Sequence, residues 1–461
     1  MHVPVLLRAA FHKGFQVEFI RRFSTAKTGT PQATLIEKTM IKPMHPTLFF
    51  GKNHKLSFLD QISDGRYIPI AFFFPKQDSS SSNTKSYISQ LLKDSLSKVL
   101  VSYYPFAGTL MDDTNIHCND QGVEFQEVQF DCPLSEFFDC PHTDFESLLF
   151  PKGLPWAPCD KNRLFSIQLN HFDCGGVVLS LCMTHTLGDA WSAFNFTKDW
   201  ASLSRGASVK LCPQFDGASI FPPIDDYSAI KDIKAPGGQC ISKRYVFSAS
   251  KIQSLKDKIA STTDEYSKLR NYPTSVEAIS TVLLKSAASN SNKPSLLFLT
   301  TDLRRRAKDI IPPKCIGNTG VPLYIFAREK REMELQRLVG EFKKEKERVS
   351  SAYNNVTRET LFPTTMETIG KAVSMLAEID KLDLYVSSSL SKLPAEDIDF
   401  GWGGPKRVIV HGGNYIQNVS ILCDNLRGDG IEVFVQLEEQ KMHALESAQE
   451  MLEFASPYGG T

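Results

Sequence analysis

The stretch that most constrains this chain runs from Gly175 to Asp189: Gly-Gly-Val-Val-Leu-Ser-Leu-Cys-Met-Thr-His-Thr-Leu-Gly-Asp. Nine of its residues, Gly176 to Thr184, are apolar or small and carry no charge. A half-exposed strand would alternate, so an unbroken run of this kind predicts a strand covered on both faces. The run ends on His185, Asp189 follows four residues later, and Ala190 to Trp200 reads as a helix. Open sheets tend to place chemistry at the end of a buried strand, where a polar side chain first meets a crevice. The fold must therefore contain a doubly covered sheet with an imidazole where one of its strands ends.

Helices and strands alternate through the rest of the chain. Leu56–Gln61 precedes a strand at Ile68–Pro75. A serine loop follows at 78–83, and then Ile88, Leu91, Leu92, Leu96, Val99 and Leu100 mark one face of a helix. Tyr103 to Leu110 turns that helix into a strand. From Arg205 to Gln239, Pro213, Pro222, Pro223 and Pro236 break any period, which marks a linker between two halves. The second half opens on a strand at Lys243–Phe247, and Ser250 is placed to cap a helix over Lys251–Ser261. Thr274 or Ser275 caps the next helix, and a strand over Ser295–Leu303 runs into Arg304-Arg305-Arg306. Leu335, Leu338, Val339 and Phe342 stripe a charged helix; Ile431–Leu437 reads as a strand and Lys441–Phe454 as a closing helix. The class is α/β, in the mixed α+β sense, with sheets at least partly covered. The expected division is an extension at 1–35, a first domain at 36–204, a linker at 205–240 and a second domain at 241–461.

Composition excludes several functions. Lys and Arg number 52, as do Asp and Glu, so no net positive charge invites nucleic acid or an anionic membrane. No apolar run reaches the roughly 18 residues of a membrane span. Ten cysteines form no CxxC pair and no zinc spacing with histidine, which predicts reduced, buried thiols, Cys174 and Cys182 among them, and no metal. Residues 1–30 carry Arg8, Lys13, Arg21, Arg22 and Lys27 against one acid, Glu18, with apolar residues at near-helical spacing. Such a start resembles an organellar presequence. The expected compartment is the cytoplasm, with a mitochondrion or plastid as the alternative.

His185 is the first candidate for chemistry, as a proton acceptor. The second marker is Asp399-Phe-Gly-Trp-Gly-Gly-Pro405. Gly401, Gly403 and Gly404 around Trp402 make a tight turn without a nucleophile, and its aspartate is expected to bind local backbone amides or an arginine. Cys182 lies three residues before His185, so on a strand the two side chains point to opposite faces and do not meet. No GxSxG elbow, P-loop or GxGxxG follows a strand.

His185-Thr-Leu-Gly-Asp189 followed by Asp399-Phe-Gly-Trp-Gly403 resembles the plant BAHD acyltransferases. Ile41-Lys-Pro43, Leu56–Gln61, Tyr104-Pro-Phe-Ala-Gly108, Phe172–Gly176, Asp302–Arg306 and Gly317-Asn318 match as well. Nearly everything after residue 36 is covered, and Phe72–Pro75 and Phe172–Gly176 point to the branch holding vinorine synthase and capsaicin synthase. The resemblance implies two similar chloramphenicol-acetyltransferase-like domains with a channel between them. Acyl-CoA, acetyl-CoA first among donors, enters at one mouth and an alcohol at the other. It makes His185 the general base, turns Asp189 away to pair with Arg304, and sets Asp399, Gly401, Trp402 and Gly403 near the CoA side. Counting back from Pro394 and Asp399 puts an oxyanion-stabilising hydroxyl on Ser388. Ala190, Leu390 and Thr109 depart from residues common in the family. The implied protein is a monomer acting on small molecules, with no bound cofactor, no metal and no acyl-enzyme. It would be an O-acyltransferase of plant specialised metabolism, acting on a terpenoid or alkaloid alcohol. The alternatives are an acylsugar acyltransferase, an N-acyltransferase, or a non-catalytic ligand-binding relative.

The chemistry is economical. An alcohol attacks a thioester only if its proton leaves, and an imidazole, which titrates near pH 6.5 in water, can take it. The oxyanion formed at the carbonyl needs a preorganised donor. A thiolate leaves readily, since its parent thiol titrates near 8.5.

Overall fold

The computed structural model describes residues 31–76, 84–138, 145–207, 211–227, 230, 238–261, 272–412 and 417–459. The basic stretch 1–30 and the serine loop 78–83 lie outside the described residues.

The first half contributes β1 (Ala33–Ile41), β2 (Asn53–Lys55), β3 (Tyr67–Phe74), β4 (Thr109–Leu110), β5 (Asn115–His117), β6 (Val123–Phe130), β7 (Phe165–His171) and β8 (Val177–Thr184). β2, β5 and β4 form a small sheet of their own. β8 is buried at every residue and lies between β7 and β3, antiparallel to both. Its alternate side chains feed two cores, which is why the run admits no charge. Leu179, Leu181 and Met183 join the helices Lys85–Ser102 and Ala190–Ser204 in one apolar cluster. Val178 and Cys182 join Phe73, Phe130 and Phe172 on the opposite face. Each large apolar side chain buried this way contributes about 1.5–3 kcal/mol.

The second half adds β9 (Ile241–Phe247), β10 (Ser295–Asp302), β11 (Gly320–Ala327), β12 (Asp383–Ser389), β13 (Arg407–Val410), β14 (Val419–Asp424), β15 (Ile431–Leu437) and β16 (Ser456–Pro457). All but β13 form one seven-stranded sheet, in the order β11-β10-β12-β14-β15-β9-β16. β13 crosses over. It pairs antiparallel with β3 and closes the six-stranded sheet β1-β6-β7-β8-β3-β13. The expected second domain, 241–461, thus lends one strand to the first. The physical reason is an edge: without β13, the buried strand β3 would present a row of unpaired backbone groups. Arg407 anchors the crossing strand, donating to Glu432 at 2.9 Å while its guanidinium lies over the Tyr458 ring.

The two halves interlock again at Leu56–Gln61. Ser57 caps the short helix Phe58–Gln61, and Phe58 and Leu59 are buried in the core of the second half. The linker is not a free tether. Gln61 exchanges two hydrogen bonds with the backbone of Ile224, and Gln214 bridges to Cys315.

Three local expectations need correction. The helix expected from Lys251 starts at Ala249, because Ser248 rather than Ser250 accepts from the Lys251 amide. The closing helix is two, Glu439–Ser447 and Gln449–Phe454, since Ala448 is extended with ψ of 134°. Cys174 is exposed, lying in the turn at Gly175 (φ +82°) between β7 and β8, whereas Cys182 is buried. Burial pushes the Cys182 thiol well up.

Candidate active site

The turn from His185 to Asp189 leaves the end of β8 and enters the helix Ala190–Ser204. Gly188 sits at φ +156°, and a Cβ there would lie 2.7 Å from the Ser192 side chain, so the turn needs glycine. The His185 amide donates to the Arg66 carbonyl at 2.9 Å. The residue is half-buried. Its Nδ1 is sealed in packing with no hydrogen-bond partner among the described residues. Nε2 also has no partner there, and unlike Nδ1 it is not fully sealed.

Asp189 faces the other way. Its Oδ1 accepts from the Ser192 amide at 3.0 Å and hydroxyl at 2.9 Å, capping the helix. Arg304, just beyond β10, closes a bidentate pair, Nη1 to Oδ2 at 2.8 Å and Nη2 to Oδ1 at 3.2 Å. The same guanidinium donates to the carbonyls of Cys315 and Gly317. Burial would raise the Asp189 carboxyl, but Arg304 and the Ser192 donors outweigh it and hold it below its ordinary value. Both carboxylate oxygens are committed, so neither can reach the imidazole as the third member of a relay.

The remaining expected residues lie apart. Ser388, on β12, is half-buried and its hydroxyl makes no hydrogen bond among the described residues. It stands in register beside Ile421, which packs in the same cluster as Met183 and Leu187 on either side of His185. Ser388 therefore shares the face of the second sheet that looks toward the first half. Ser387 faces away and bonds to Ser420. Asp399 accepts from the amides of Gly401 and Gly403, each at 2.8 Å, within its own turn. Phe400 is fully buried, stacks on Trp402 at 5.6 Å and meets the edge of Trp200. The Ser204 hydroxyl donates to the Phe400 carbonyl. Asp189 thus starts the helix Ala190–Ser204 and the Asp399 turn packs against its end, about 22 Å away by helical rise. A cavity of about 270 Å³ opens there, lined by Tyr87, Leu91, Ser204, Arg205, Phe400 and Trp402. Among the described residues, no group of three or more His, Cys, Asp or Glu side chains could hold a metal ion.

Sequence reasoning did not single out two residues at this turn. Asn318 Nδ2 donates to the His185 carbonyl at 2.8 Å, and Asp60 accepts from both the Asn318 amide and side chain. Both lie inside stretches that carry the family resemblance, but nothing local in the sequence joins residues 258 positions apart.

The family model described as the Transferase family matches residues 32–452. Acyltransferase Pun1 of Capsicum frutescens is 38% identical over 435 residues, covering 91% of this chain and 97% of that one. The chain belongs to the BAHD acyltransferases. Deacetylvindoline O-acetyltransferase of Catharanthus roseus, a further relative, is 33% identical over 449 residues, covering 91% of this chain and 97% of that one. The crystal structure of vinorine synthase shares the fold, with a TM-score of 0.77 and 24% identity over 93% of this chain and all of that one. This BAHD protein is accordingly an acyltransferase of plant specialised metabolism with the two-domain architecture of its fold.

Proposed function

We propose that this acyltransferase moves an acyl group from acyl-CoA to a hydroxyl of a bulky, apolar plant metabolite, a terpenoid or alkaloid alcohol, with His185 as general base. One observation carries the reading: at the end of the buried strand, one imidazole nitrogen is sealed, while the other is not and has no hydrogen-bond partner among the described residues. In this reading Nε2 accepts the hydroxyl proton as the alcohol oxygen attacks the thioester carbonyl. The C–S bond then breaks, and His185 returns the proton to the departing thiolate. Asp189, held by Arg304, keeps the turn in shape and takes no proton. Asp189 therefore lends the protonated ring no hydrogen bond. The Ser388 hydroxyl faces the seam between the two halves and is the donor for the oxyanion. Acetyl-CoA is the favoured donor, supported by the acetyl transfer in the name of the Catharanthus relative. The protein works as a single chain on small molecules.

The test offers purified protein acetyl-CoA, malonyl-CoA and longer acyl-CoAs in turn, each with a plant metabolite extract. The expected result is an extract component that gains one acetyl mass increment as free CoA appears. An extract unchanged with every donor defeats the reading. No helix among the described residues is long and apolar enough to cross a membrane. Residence in the cytoplasm, as against a mitochondrion or plastid, is read by fusing residues 1–35 to a fluorescent protein.

A further inference from the structure

A catalytic imidazole is normally aimed by a hydrogen bond on the nitrogen that does no chemistry. His185 lacks that bond, since its Nδ1 has no partner among the described residues. Its aim must come from the backbone that carries it and from packing. The His185 amide is fixed by the Arg66 carbonyl, and its carbonyl accepts from Asn318 Nδ2 at 2.8 Å. We propose that Asn318, itself held by Asp60, is the positioning residue that sets where the His185 ring points.

The geometry is specific to an amide. Asn318 Nδ2 carries two hydrogens: one goes to the His185 carbonyl, the other to Asp60 Oδ1 at 2.8 Å. The Asn318 backbone amide donates to the same Oδ1 at 2.7 Å, so side chain and main chain are locked together. Asp60 Oδ2 accepts from the Ser57 amide at 3.0 Å and hydroxyl at 2.6 Å. Four donors thus surround one buried carboxylate, and burial pushes it above its ordinary range. Asp60 and His185 come from the first half and Asn318 from the second, so the base is aimed only when the halves close. Arg304 fastens the far end of the turn at Asp189, and Asn318 fastens the near end at the residue that does the chemistry.

This inference rests on the reading of His185 as base, and the test separates the two. Asn318→Ala, Asp60→Asn, Asp60→Ala and His185→Ala are compared by CoA release from acetyl-CoA, using the extract component acetylated in the experiment above. A ring displaced by about 1 Å costs up to about 100-fold in rate. Asn318→Ala is therefore expected to lower kcat per folded enzyme about 10- to 100-fold with KM for acetyl-CoA within about twofold, while the melting temperature falls because Asp60 and the His185 carbonyl each lose a donor. Asp60→Asn keeps an amide oxygen facing Asn318 and is expected to recover most of the kcat lost in Asp60→Ala. A folded Asn318→Ala enzyme with full kcat, beside an inactive His185→Ala, overturns the positioning role alone. A kcat loss matched by the fraction unfolded overturns it too. Activity in His185→Ala overturns the base reading and this inference with it. If Asn318→Ala does not fold, the Asp60 pair decides: equal kcat for Asp60→Asn and Asp60→Ala refutes the role.

Discussion

The two ends of the helix Ala190–Ser204 each meet an aspartate, and they are satisfied in opposite ways. Asp189, at the start, takes its guanidinium from 115 residues away in the other half of the molecule. Asp399, packed at the end, takes both its donors from amides within four residues of itself. The first turn has its shape only when two sheets have come together. The second is complete as soon as its own chain folds back. A turn built from distant partners reports on assembly and can be coupled to a site between domains, whereas a self-contained turn serves packing. The comparison implies that breaking the long-range ties of the first turn reaches activity and global stability together, and that damage at the second turn stays local.

The change expected to do most lies within the first turn. His185→Ala should lower kcat/KM by about 10³-fold or more, since the base is absent and water is a poor substitute. The melting curve should not move, because the ring makes no hydrogen bond among the described residues. Turnover near the wild-type rate would break the comparison at its root. Ser388→Ala sharpens it, with an expected loss of about 10²-fold in kcat for one missing oxyanion donor. An unchanged kcat there would leave the carbonyl oxygen to other donors.

Arg304→Met comes next, and it tests assembly rather than chemistry. Arg304 keeps 3% of its side-chain exposure and Asp189 22%, so the pair is mostly shielded from water. Removing the cation strands the carboxylate and leaves the Cys315 and Gly317 carbonyls without this donor, at a cost of about 3 kcal/mol. Melting temperature and activity should fall together. The sign with pH follows from the lowered Asp189 pKa. Its contribution is complete above the unfolded carboxyl value near 3.9 and is lost as pH falls through the folded value. The gap in melting temperature between wild type and Asp189→Asn should therefore be widest above about pH 4 and close below it. A gap that stays constant into acid would mean that the ion pair adds nothing.

Local pattern was legible and long-range pairing was not. β8 and its terminal histidine could be read because a doubly covered strand must be uniformly apolar. A cap at Thr274 or Ser275 could be read locally, and it is Thr274, whose box with Glu277 closes within three residues. Ser248 and Ser250 are both able to accept an amide, and the Lys251 amide goes to Ser248. Cys174 reads like part of a strand in sequence, but the turn at Gly175 lifts it into solvent. Arg407–Val410 spells a strand without saying which sheet has a free edge. The same holds at the site. His185 stood out from its neighbours, the partnership of Asp189 with Arg304 came only through resemblance, and Asn318 with Asp60 offered no local sign at all.

The smallest effect is expected at the second turn, and it sets the limit of the contrast. Asp399→Ala deprives the Gly401 and Gly403 amides of their acceptor, while Gly401 at φ +109° and Gly403 at φ +87° can hold the turn unaided by any side chain. The site is near the surface, so water can replace part of what is lost, and the cost should be about 1 kcal/mol. Asp399→Asn keeps an oxygen for the same amides and should cost less. In both variants kcat should match wild type, because the helix between this turn and His185 still ends where it did. KM for acyl-CoA carries the sharper information. The cavity beside Trp402 and Arg205 lies against this turn. A rise in KM beyond the loss of folded enzyme would make the turn a wall of the donor entrance, and so tie the self-contained end of the helix to function after all.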